Sequence, residues 1–208
     1  MIHLILSSIL LSIIHAFIPN HWLPLVAIGK AEKWSKRTTL LSTALAGFAH
    51  IASTILIGVL IGWAGYSLSS TYSWISSLVA PAILVGLGLF YVFRFFFHRA
   101  HAHDHFKNVT EGKTSYTAII ISLSISMFFS PCIELESYYF TAGTFGWIGI
   151  IAVSFVYLIV TVSAMVVLVW LALKGIQNIN FKWLEKYEKL IIGVVLITVG
   201  LFTFFIKL

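Results

Sequence analysis

The stretch 147–173 carries no charged side chain, and five others, about 2–29, 38–64, 74–97, 115–140 and 187–207, are nearly as apolar. Each is long enough to cross a hydrocarbon core of roughly 30 Å. The whole chain is 60% hydrophobic and 10% charged, against roughly 25% charged residues in a soluble domain. A water-soluble fold of 208 residues could not bury so much apolar surface. A span must satisfy its backbone hydrogen bonds internally, and no alternating barrel pattern is present, so the spans are helical. The expected fold is an all-α membrane protein, a single polytopic domain over 1–208 with six transmembrane helices.

The formal charge of +6 raises nucleic acid as a partner, but the distribution of charge argues for topology instead. Lys30, Lys33, Lys36 and Arg37 follow the first span. Arg94, Arg99, Lys107 and Lys113 flank the third connection, and Lys174, Lys182, Lys186 and Lys189 the fifth. The connections at 65–73 and 141–146 carry no basic residue. The positive-inside rule then places the odd connections in the cytoplasm and both termini outside, in what is expected to be a prokaryotic inner membrane. The partners are membrane lipid and a metal ion, with no nucleic acid; a homo-oligomer is compatible with this reading. The first 22 residues lack a basic n-region and a suitable cleavage site around Pro19-Asn20-His21-Trp22, so they are read as a retained span. With Cys132 the only cysteine, neither an internal disulfide nor a two-cysteine relay is available.

The two halves look alike. Ile83-Leu84-Val85-Gly86-Leu87 in span three resembles Ile197-Thr198-Val199-Gly200-Leu201 in span six. Each half also opens with a span interrupted by proline, Pro19 in the first and Pro131 in the second. Three spans per half would make the repeats inverted, the first over 1–97 and the second over 115–208. Inverted repeats with broken helices 1 and 4 are a transporter signature. Between them, 98–114 reads as a His-rich cytoplasmic loop. It holds His98, His101, His103 and His105, a composition suited to metal capture and equally that of a plain polar loop.

Ionisable groups at membrane depth cost roughly 2.5–3.5 kcal/mol each on insertion scales. This chain keeps His15, His21, His50, Glu134 and Glu136 well inside its spans, with Cys132 beside the two glutamates. On an unbroken helix, residues six apart stand about 240° and 9 Å apart, so His15 and His21 would not share a face. A break at Pro19, which disfavours helix at Ile18, can turn one toward the other. After Pro131, an extended chain would put Cys132, Glu134 and Glu136 on one side; a helix would pair Cys132 with Glu136 and turn Glu134 away. Imidazole, carboxylate and thiolate together suit zinc, nickel, cobalt or iron rather than magnesium or calcium. The expected metal ligands are therefore His15, His21, His50, Glu134, Glu136 and Cys132. Each also has a structural reading: a histidine or glutamate can tie two helices together, and a free cysteine can simply fill space.

These residues resemble the nickel/cobalt efflux (NicO-type) group of the LysE exporter superfamily. The likeness rests on His15-x5-His21 with Pro19 inside it, on His50 in span two, and on the His-rich loop. The His-x5-His spacing is also similar to nickel/cobalt uptake permeases, where an acidic residue precedes the second histidine; Asn20 stands there here. Ser130-Pro131-Cys132 is similar to membrane thiol-electron carriers of the same superfamily. Asn20-His21-Trp22 and Glu134-x-Glu136 depart from the exporter pattern. The resemblance implies a secondary transporter that exports a divalent transition metal, nickel or cobalt first. His15, His21 and His50 would be ligands, and Glu134 and Glu136 would supply negative charge and proton coupling. No ATP-binding motif or organic cofactor motif is present. The expectation is a carrier and not an enzyme. The alternatives are an intramembrane zinc-dependent hydrolase, which would lack a His-Glu-x-x-His motif, an exporter of a small organic solute, and a thiol electron carrier.

Overall fold

The computed structural model describes residues 1–72, 74–97, 115–130, 132–175 and 181–205, with backbone only at 76, 133 and 181–185. The described residues are helical, with no strand among them. The His98, His101, His103 and His105 tract, Pro131 and the 98–114 loop lie outside them.

Helix α1 (Ile2–Phe17) and α2 (Pro19–Ala31) form one bent element, with 42° between their axes. The cause is local. Ile18, next to proline, is extended at φ −61° and ψ 119°, the conformation that proline imposes on its predecessor. Pro19 then sits at the first helical position of α2, where its missing N–H costs nothing. Helix α3 (Lys36–Thr71) starts at Ser35, whose hydroxyl accepts the Thr38 N–H at 3.1 Å. Its 36 residues make a rod of about 54 Å, seven residues longer at its far end than the expected 38–64 span. A π-helical turn (Ile75–Val79) leads into α4 (Ala80–Phe97).

The fourth expected span, 115–140, is two short helices, α5 (Tyr116–Phe128) and α6 (Ile133–Gly143), of 13 and 11 residues. At 1.5 Å per residue these reach about 20 and 17 Å, so neither crosses a bilayer alone. Helices α7 (Gly146–Leu173) and α8 (Phe181–Phe205) complete the chain. Among the described residues, four helices are long and apolar enough to span a membrane, five counting the bent α1–α2 pair.

The surface confirms the medium. Leu60, Phe96, Ile148, Phe155 and Phe205 are exposed, while Ser12, Thr43, Thr54 and Thr161 are buried. This polarity is the reverse of a soluble protein's, and lipid is the solvent that accepts it. Ser12, Thr43 and Thr54 donate to carbonyls four residues back in their own helices, at 2.6–3.2 Å, and so bury no orphan hydroxyl.

Helix α4 packs along α8, α3 lies against α5, α6 and α7, and α1–α2 lies against α7. The α3–α6 contact is the closest approach. A Cβ on Gly65 would meet the Phe140 backbone, and one on Gly143 would meet the Gly62 carbonyl. Small residues of this kind let membrane helices touch backbone to backbone. The contact seats the start of α6 beside the middle of α3, where His50 lies.

Candidate metal centre

Four side chains from three parts of the chain converge inside the bundle. His15 comes from the last turn of α1, His21 from the first turn of α2, His50 from mid-α3, and Cys132 caps the N-terminus of α6. One ligand atom from each lies within 4.8 Å of all the others. The kink at Ile18 brings the His15 and His21 rings to 4.4 Å between centroids, although they are six residues apart. His50 completes the group at 4.8 Å from His21 and 5.8 Å from His15. His15 and His50 are each 1% exposed, and Cys132 is buried.

The hydrogen bonds behind the rings decide which nitrogen faces the centre. A backbone carbonyl can only accept, so His50 carries its proton on Nδ1 and donates it to Met127 O at 3.1 Å. His15 Nδ1 donates to Glu134 Oε1 at 3.3 Å. Both rings therefore turn Nε2 inward, a lone pair in the neutral form, and both Nε2 atoms lie 3.2 Å from Cys132 Sγ. His21 Nε2 is 3.9 Å from the same sulfur. One thiol proton cannot serve three nitrogen lone pairs. With its rings neutral the centre is rich in lone pairs and poor in protons, which is the condition a cation relieves.

The geometry suits such a cation. Tetrahedral zinc, with Zn–S about 2.3 Å and Zn–N about 2.0–2.1 Å, requires S···N separations of about 3.5 Å. The three observed values bracket that figure. The carbonyl behind His50 and the carboxylate behind His15 are the kind of partner that fixes tautomer and ring orientation in metal sites. The four residues can thus hold a metal ion.

Glu134 stands behind His15. Its second oxygen accepts the Tyr91 hydroxyl at 3.2 Å, so the line Tyr91–Glu134–His15 runs from α4 to the centre. The Tyr157 and Thr54 hydroxyls face the Cys132 sulfur, and the Tyr157 ring lies 5.8 Å from that of His15. Sequence reasoning missed Tyr91, Tyr157, Thr54 as a neighbour of sulfur, and the Met127 carbonyl. Tyr91 and Tyr157 are hydroxyl-bearing rings in otherwise apolar runs, which is a visible signal. The Met127 carbonyl has no signal in the sequence, because any residue supplies one.

Neither reading of the Cys132–Glu136 segment holds entire. Cys132 is extended, at φ −98° and ψ 104°, and helix begins at Ile133. Cys132 and Glu134 reach the cluster together. Glu136, two residues further along a helix, is turned about 200° from Glu134 and is not part of the group. It lines a cavity between α3, α4 and α6 instead. Glu188, which sequence reasoning did not single out, accepts a hydrogen bond from Asn20 at 3.4 Å and lines a cavity at the Pro19 break. No family model, curated protein or solved structure matches the chain.

Proposed function

We propose that the chain is a secondary transporter that carries a divalent transition-metal cation across the membrane through the His15, His21, His50 and Cys132 centre. The observation that carries this reading is the convergence of those four side chains where the break at Ile18 meets the start of α6 at Cys132. Broken helices that meet at a buried polar site are what alternating-access carriers use to hold their substrate.

Charge supports a divalent cargo. A Cys132 thiolate and a Glu134 carboxylate contribute −2, the neutral histidines nothing, and a divalent ion +2. The sum is zero, the least costly value for a site closed off at membrane depth. Thiolate with imidazole favours zinc, nickel and cobalt over magnesium or calcium, and the sequence resemblance points to nickel and cobalt. Efflux is the direction implied by that resemblance and by the His98–His105 stretch among the basic connections.

We read the bundle as two inverted three-helix halves, with α1–α2 matching α5–α6, α3 matching α7 and α4 matching α8. Exchanging the halves maps the larger contacts onto one another. The contact of α1–α2 with α7 becomes that of α5–α6 with α3, while the α3–α7 and α4–α8 contacts map onto themselves. The hydrolase alternative is weaker on two counts. Four protein ligands leave no open position for a water, and Glu134 is engaged by His15 and Tyr91 and so is not free as a base.

The test is flux. Purified full-length protein in proteoliposomes, assayed with nickel, cobalt and zinc, should move at least one of them, and His15→Ala should abolish that movement. Metal that binds at the centre but never crosses would replace the carrier by a structural staple.

A further inference from the structure

Both carboxylate oxygens of Glu136 are buried and meet no hydrogen-bond donor among the described residues. The residue is 7% exposed. It lines a cavity of about 510 Å³ with Ser137 of its own helix, Ile61 of α3, and Ile83, Leu87 and Phe90 of α4. The α3 and α4 residues of this wall carry no titratable group. The ionisable groups that interact with its charge are Cys132, Glu134 and Tyr139, all on the same segment, and none is a cation. A bare carboxylate in such a place lacks counter-charge and solvation. A single carboxyl with an apolar wall is also too few oxygens for a metal ion. A proton is the ligand that removes its charge without needing further partners.

We propose that Glu136 and the α3–α4–α6 cavity form a proton-binding site, separate from the metal centre, through which proton movement is coupled to metal movement. The coupling role rests on the carrier reading above; the proton site does not. The link is α6. Cys132 caps this helix, Glu134 holds His15 from its first turn, and Glu136 follows on the opposite face. A displacement of α6 that releases the metal carries Glu136 with it, so each ligand favours its own position of one short helix. Proton uptake at Glu136 accompanies metal departure, and proton loss accompanies metal return.

The experiment uses the full-length protein and dicyclohexylcarbodiimide, a lipophilic reagent that modifies protonated carboxyls. Peptide mass mapping should find the adduct on Glu136. Its yield should fall as pH rises and fall again on loading with Zn²⁺ at fixed pH. No adduct at Glu136, or a yield that pH leaves unchanged, overturns the proton site. A yield that Zn²⁺ leaves unchanged overturns the coupling. In proteoliposomes, Glu136→Gln should still bind Zn²⁺ as the wild type does and should lose the acceleration of zinc flux by an imposed pH gradient. A wild-type response to the gradient in that variant also overturns the coupling. Wild-type protein that neither binds nor moves Zn²⁺, Ni²⁺ or Co²⁺ sinks the carrier reading and the coupling with it, while the adduct still decides the proton site.

Discussion

Replacing Glu134 by Gln should weaken metal binding without touching any ligand. Glu134 accepts from His15 Nδ1 at 3.3 Å and from Tyr91 Oη at 3.2 Å. Glutamine keeps the shape: its amide oxygen can accept from His15, and its amide NH₂ can donate to the tyrosine oxygen. What disappears is the negative charge that balances the cation. Loss of a carboxylate that holds a metal-binding histidine costs about 10- to 100-fold in affinity. Both contacts are longer than the 2.7–2.9 Å of the strongest charge-assisted bonds, so we expect about 10- to 30-fold, or about 1.4–2 kcal/mol. Competition against a chromogenic zinc chelator in detergent measures this directly. Tyr91→Phe removes one neutral-donor bond and should cost less, about 2- to 10-fold from the roughly 0.5–1.5 kcal/mol of such a bond. A Glu134→Gln affinity equal to wild type would refute the placement of Glu134 behind a working ligand.

Cys132→Ser should abolish the sulfur-to-cobalt charge-transfer absorption of the Co²⁺-loaded protein, because no other sulfur ligand stands in the cluster; an unchanged spectrum would exclude the thiolate. Metal affinity should rise with pH by about tenfold per unit for each proton released, since a thiol must ionise before it binds; an isothermal titration series in two buffers of different ionisation enthalpy counts those protons. Gly143→Ala should lower the melting temperature in detergent, because its Cβ would meet the Gly62 carbonyl and push α6 from α3, at an overpacking cost of about 1–3 kcal/mol; Gly86→Ala, with open space around it, should leave melting unchanged.

The sequence carried the parts of this account that depend on short-range chemistry. Apolar run length marked the helices, and Ile18-Pro19 marked a kink because proline restricts its neighbour whatever surrounds it. The histidines stood out because lipid makes them costly anywhere in a span. The failures lie where aim matters. Glu134 and Glu136 are two acids in one short stretch, yet two residues of helix, about 200° of rotation, send them to opposite sides of α6, and the start of helix at Ile133 decides which is which. Most of the connection expected at 65–73 is helix instead, with Ser69, Ser70 and Thr71 bonded to their own backbone and α3 running on to Thr71. Tyr91 and the Met127 carbonyl belong to the site through tertiary packing alone, which no local pattern encodes.

X-ray absorption at the zinc edge of the zinc-loaded protein tests the central claim most directly. Three histidine nitrogens at about 2.0–2.1 Å and one sulfur at about 2.3 Å are expected, with the sulfur lost in Cys132→Ser. A shell of oxygen and nitrogen alone in the wild type would contradict it.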